Sequence, residues 1–133
     1  MELRSMARVL VIDDDRDIRE VLVSMLETEG YETGSAPDGL AGLAAARERR
    51  PDLILLDLMM PVMDGWTFLT VKLEDSALAG IPVVVLSAAK SLPADGAVQC
   101  LQKPCAVEQL LDTVERHRLG GRDRQRPSDE RSG

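Results

Sequence analysis

Three short stretches of the chain are apolar at every position: residues 9–12 (VLVI), 53–56 (LILL) and 83–86 (VVVL). Strands that are apolar on both faces belong to a parallel sheet covered on both sides. After the first run, Ile18, Val21, Leu22, Met25 and Leu26 recur at helical spacing, and Gly30 stops the helix they predict. Tyr31–Ser35 reads as a short strand. Asp38 is placed to cap a helix running to about Arg49, and Pro51 closes that segment. Asp64 is placed to cap a helix with Trp66, Leu69 and Leu73 on one face. Val98–Leu101 is a weaker strand, and Val107, Leu110, Leu111 and Val114 mark a last amphipathic helix. Strands alternate with helices, which predicts an α/β domain with a doubly wound, five-stranded parallel sheet.

Length and charge sharpen this picture. The 133 residues suit one domain. No apolar run approaches the ~20 residues of a membrane helix, and residues 1–8 lack the apolar core of a signal peptide. Two cysteines cannot make a disulfide framework. The expectation is a soluble, cytoplasmic protein. The net charge is −7, which disfavours nucleic acid as a partner of the body. Residues 119–133 carry four arginines against three acids and almost nothing apolar, so they read as a disordered tail. The expected layout is an extension over 1–7, a domain over 8–118 and the tail over 119–133.

The acids are not spread evenly. Asp13, Asp14 and Asp15 close the first apolar run, Asp57 closes the second, Ser87 closes the third, and Lys103 follows the weak strand. Ligands of open parallel sheets bind outside the carboxyl ends of the strands. If the strands that end in these residues are neighbours, Asp13, Asp14, Asp57, Ser87 and Lys103 converge. Carboxylates brought together repel unless a cation lies among them, and a few solvent-facing oxygens suit Mg²⁺. A cation, a carboxylate acceptor, a hydroxyl and an ammonium are the parts for phosphoryl transfer onto an aspartate. Asp15 reads as a helix cap.

The motifs VLVIDDD, LILLDLMMPVMDG, VVVLSA and LQKP, in that order, resemble those of response-regulator receiver domains over residues 8–118. The resemblance implies a flavodoxin-like receiver fold with Asp57 as phosphoacceptor. It implies Mg²⁺ held by Asp14, Asp57 and the backbone carbonyl of Met59, with Asp13 acting mostly through water. Ser87, Ala88 and Lys103 are implied at the phosphoryl group, and the Lys103–Pro104 peptide is implied to be cis. The implied donor is a sensor histidine kinase or a histidine phosphotransfer protein, with output through contacts to another protein. Such a domain is no enzyme acting on external substrates, although it supports its own phosphorylation and dephosphorylation.

Other readings compete for the same residues. A calcium loop opening at Asp13 needs Gly and Glu where Ile18 and Ser24 stand, and a haloacid-dehalogenase-type phosphatase needs Thr or Val where Asp17 stands. A Mg²⁺-dependent hydrolase lacks a second general base. His117 reads as a surface residue or a partner of the helix dipole. Met59, Met60 and Met63 read as loop packing. Lys103, an ammonium at a strand end, is expected to be solvated while no phosphoryl group is bound.

Two departures from the receiver pattern favour the alternative of a receiver-fold binding module whose output is independent of phosphorylation. Cys100 occupies the switch position where receivers usually carry Tyr or Phe, and Cys105 replaces a second ring in a chain with three aromatics in all. The crossover Ala88–Ala97 has ten residues, interrupted by Pro93 and Gly96, so a shortened fourth crossover helix is expected. With that surface reduced, the domain is expected to be a monomer or weak dimer and, having no room for an effector domain after residue 119, to act alone.

Overall fold

A computed structural model describes residues 7–60, 62–88 and 96–119. The elements are β1 (Arg8–Ile12), α1 (Arg16–Thr28), β2 (Glu32–Ala36), α2 (Gly39–Glu48), β3 (Leu53–Asp57), α3 (Gly65–Glu74), β4 (Val83–Ser87), β5 (Gln99–Gln102) and α4 (Val107–His117). The five strands form one parallel sheet in the order β2-β1-β3-β4-β5. The three apolar runs are therefore the three central strands, buried almost without interruption.

Strand side chains alternate between two cores. Leu10, Ile12, Ile54, Leu56, Val83 and Val85 pack with Leu43 and Ala46 of α2 and Phe68 and Leu69 of α3. Val9, Val11, Leu53, Leu55, Val84 and Leu86 pack with Leu22 and Leu26 of α1 and Leu110 and Val114 of α4. A period of two along each strand produces this division.

Local chemistry sets the helix starts. Asp15, Asp38 and Asp64 each accept from amides of the first turn of α1, α2 and α3. Gly30, at φ 96°, ends α1 in the left-handed conformation that a glycine enters without cost.

Several expectations shift. The strand at Tyr31 begins one residue later, at Glu32, and the weak strand is Gln99–Gln102. Leu69 faces inward on α3, but Trp66 and Leu73 are 37 % and 50 % exposed, and the buried positions are Gly65, Phe68, Leu69 and Lys72. Gly65 decides this. A Cβ there would sit 2.7 Å from the Leu58 Cα, so the helix start lies directly on the backbone after β3. Positions three, four and seven residues on then share its face. Val21 and Val107 are likewise exposed on α1 and α4.

His117 closes α4 and is half-buried rather than a surface residue. Its Nε2 lies 2.8 Å from Gln99 Oε1, and burial, then nearby Arg116, lower its pKa. Most of the short crossover, residues 89–95, and most of both terminal segments lie outside the described residues. Ala7 is buried, and its carbonyl accepts from the Glu32 amide at 2.9 Å. Among the described residues no helix is long and apolar enough to cross a membrane.

Candidate functional site

The strand order makes β1, β3, β4 and β5 consecutive, so their carboxyl ends line one edge of the sheet. Asp13, Asp57 and Ser87 stand where the apolar strands β1, β3 and β4 end, and Lys103 follows the more exposed β5. Carboxylate oxygens of Asp13, Asp14 and Asp57 lie within 4.8 Å of one another. Asp13 and Asp57 are only 2 % and 6 % exposed, whereas Asp14 faces solvent.

Lys103 sits among them. Its Nζ is 2.9 Å from Asp13 Oδ2 and 3.8 Å from Asp57 Oδ1. The expected solvated ammonium is thus corrected. Two buried carboxylates draw it in, because an ion pair recovers part of what each charge loses on leaving water. The Lys103 amide donates to the Ser87 carbonyl at 2.7 Å, which ties the end of β5 to that of β4. The Lys103–Pro104 peptide is cis. Ser87 is buried, and Ala88 after it is exposed.

Asp57 is held above the usual carboxylate range, at about 6. Burial is the main cause. Lys103 and the Met59 amide, which donates to Asp57 Oδ1 at 3.2 Å, work against it, and Asp13 and Asp14 add smaller upward contributions. Mutual repulsion, the cause anticipated from the three acids, is therefore secondary to desolvation. The Asp57 group remains mostly ionised at neutral pH and is more basic than an exposed aspartate.

Asp13 is a framework residue. Its amide donates to Ala36 O at 3.2 Å, and its Oδ1 accepts from the Asp15 amide at 2.9 Å. Its carbonyl accepts from Arg19 Nη1 at 2.7 Å, and Lys103 takes Oδ2. Arg19 was not among the candidates. A cation in the first turns of α1, shortly after an acidic loop, was the only signal for it.

The loop after β3 is unusual. Val62 adopts φ 69°, a left-handed conformation costly for a β-branched residue, and is 74 % exposed. Met60 is buried and Met63 abuts Gly39 of α2, but Met59 is 60 % exposed. At the switch position, Cys100 is exposed and Cys105 is half-buried, and no disulfide joins them.

This arrangement suits a small divalent cation. The donors are carboxylate oxygens from three acids, one of them open to solvent, and a single ammonium lies against two of the three. Mg²⁺ takes such oxygens while keeping several waters.

Comparison with known proteins gives the family of the chain. The family description "Response regulator receiver domain" matches residues 9–115. The chain belongs to this family. Chemotaxis protein CheY4 of Vibrio cholerae is similar in structure, with a TM-score of 0.78 and 36 % identity, covering 84 % of this chain and 98 % of that one. Among curated relatives, the DNA-binding dual master transcriptional regulator RpaA of Synechocystis sp. is 40 % identical over 115 residues, 82 % of this chain and 48 % of RpaA. The DNA-binding response regulator MtrA of Mycobacterium tuberculosis is 41 % identical over 114 residues, 80 % of this chain and 48 % of MtrA. The receiver domain thus spans about half the length of these relatives. Receiver domains of response regulators are signalling domains of two-component systems, and phosphoryl acceptance is their general function.

Proposed function

We propose that this receiver domain accepts a phosphoryl group on Asp57 from the phosphohistidine of a sensor kinase or phosphotransfer protein, in a Mg²⁺-dependent step. The observation that carries this reading is the convergence of Asp57 with Asp13, Asp14 and Lys103 at the end of β3. In the transfer an Asp57 carboxylate oxygen forms the new P–O bond as the P–N bond to the donor imidazole breaks. The imidazole nitrogen then takes a proton from solvent.

Asp14, Asp57 and the Met59 carbonyl would hold the cation, with Asp13 reaching it through water. When bound, Mg²⁺ offsets charge on the phosphoryl oxygens. Lys103 would turn from Asp13 and Asp57 to an oxygen of the transferred group. Ser87 and the Ala88 amide would donate to the others. Self-catalysed phosphorylation from small donors and later hydrolysis follow from the same parts. We assign the domain to residues 8–118 and to the cytoplasm, acting through protein contacts rather than nucleic acid.

Acetyl phosphate with Mg²⁺ should add one phosphoryl group, read by intact mass. Asp57→Asn should accept none. Equal labelling of that variant would remove Asp57 from the reading.

A further inference from the structure

Asp14 poses a problem of placement. It is exposed, and among the described residues no side chain or amide bonds its carboxylate. Its position therefore rests on the backbone that carries it. That backbone is clamped on both sides. After Asp14, the Asp15 amide donates back to Asp13 Oδ1 at 2.9 Å. Before it, the Asp13 carbonyl accepts from Arg19 Nη1 at 2.7 Å. Arg19 is half-buried and lines the same surface hollow as Ser35 of β2, and β2 also receives the Asp13 amide at Ala36.

We infer that Arg19 is a positioning residue that orients Asp14 for the divalent cation through the Asp13–Asp14 peptide. The inference rests on the Mg²⁺ reading above. The peptide is planar, and in the trans form its carbonyl and N–H point in opposite directions. Fixing the Asp13 oxygen toward α1 and β2 turns the Asp14 N–H the other way and sets the angle at which the Asp14 Cα leaves the strand. Arg19 touches neither cation nor phosphoryl group in this role. It removes a peptide rotation that would otherwise have to be frozen on binding.

Two effects of Arg19 on the cation have opposite signs, which makes the role measurable. As a nearby positive charge Arg19 repels Mg²⁺, so its removal would tighten binding. As a positioning group it pre-organises a ligand, so its removal would weaken binding. Partners behind metal ligands typically contribute about 10-fold or more to affinity.

The test is Mg²⁺ titration of the full chain by calorimetry, with Arg19→Met, Arg19→Gln and Asp14→Asn. Arg19→Met should weaken Mg²⁺ binding about 10-fold. The Mg²⁺ concentration needed for half-maximal labelling by acetyl phosphate should rise equally, with the maximal rate unchanged. Arg19→Gln, whose amide can still donate to the Asp13 carbonyl, should lie between Arg19→Met and wild type. It also serves as the variant to read if Arg19→Met does not fold. Unchanged or tighter binding in Arg19→Met, or a lower maximal rate at unchanged affinity, overturns the role of Arg19. Wild-type affinity in Asp14→Asn would instead overturn the underlying Mg²⁺ reading.

Discussion

The two ends of the sheet treat charge in opposite ways. At the amino end, Arg118 donates from Nε and Nη2 to the two Glu115 oxygens at 3.0 and 3.1 Å. Tyr31 donates to the same carboxylate at 2.6 Å, and the Arg118 guanidinium lies 5.9 Å from the Tyr31 ring centre. Asp52 joins β1 to the segment after α4, accepting from the Arg8 amide through its side chain and from the Leu119 amide through its carbonyl. At the carboxyl end, the ammonium of Lys103 pairs with Asp13 and Asp57, both buried, while the exposed Asp14 beside them has no such partner among the described residues. The amino end is closed by its own partners. The carboxyl end keeps a surplus of negative charge, which costs stability and is where a ligand can act.

Opposite signs of mutational effect are the sharpest test of that contrast. At the amino end, Glu115→Ala leaves the buried Arg118 without its carboxylate. It should cost about 3 kcal/mol in urea unfolding, since breaking a buried pair strands a charge. A loss below ~0.5 kcal/mol would make the clamp ornamental and blur the comparison.

At the carboxyl end, Asp57→Asn should stabilise the Mg²⁺-free protein. The Asp57 pKa is raised from 3.8 to about 6, so ionising it opposes folding above that range. Two units at ~1.4 kcal/mol each bound the gain near ~3 kcal/mol. The gap between variant and wild type should be full above pH 6 and close as pH falls toward 3.8. Millimolar Mg²⁺ should narrow it at neutral pH. An Asn variant less stable than wild type at pH 7.5 would reverse the reading of this end.

The two lysines repeat the contrast within one residue type. Lys103 compensates Asp13 and Asp57, so Lys103→Met should lose about 1–2 kcal/mol without Mg²⁺ and recover part of it with Mg²⁺. Lys72 is 1 % exposed, and its Nζ donates to the Ala79 carbonyl at 2.9 Å; no carboxylate pairs with it among the described residues. Burial, then Arg50, lower its pKa, so the protonated form opposes folding. Lys72→Met should gain about 1 kcal/mol at neutral pH, less what the lost hydrogen bond returns. That gain should shrink as pH rises toward 10.5, as measured by thermal melts. Equal signs for the two variants would refute the distinction.

The smallest effect concerns backbone strain beside the site. Val62→Gly relieves the φ of 69° and should add about 1 kcal/mol, measured at the urea midpoint. Any change in the labelling rate of Asp57 would show that the loop geometry itself is used.

Much of this molecule was legible in the linear chain. Short runs apolar at every position, set between helical segments, read as strands covered on both faces, so VLVI, LILL and VVVL pointed to a parallel sheet, and the tertiary structure made them its three central strands. A strand must end where the chain leaves the core, so Asp13, Asp57 and Ser87 declared themselves as edge residues. The caps at Asp15, Asp38 and Asp64 were equally local, because the group that accepts lies within three residues of the amides that donate. Other features depended on partners distant in sequence. Periodicity alone did not turn α3 onto Phe68 and Lys72; the contact of Gly65 with Leu58 did. Composition could not place Lys103 against Asp13, ninety residues away, or rank burial above repulsion at Asp57. Arg19 meets the Asp13 carbonyl only because the fold sets the start of α1 against the end of β1. Local pattern determines which residues leave water, but the energy of a charge depends on what surrounds it in space, and only the tertiary structure decides that.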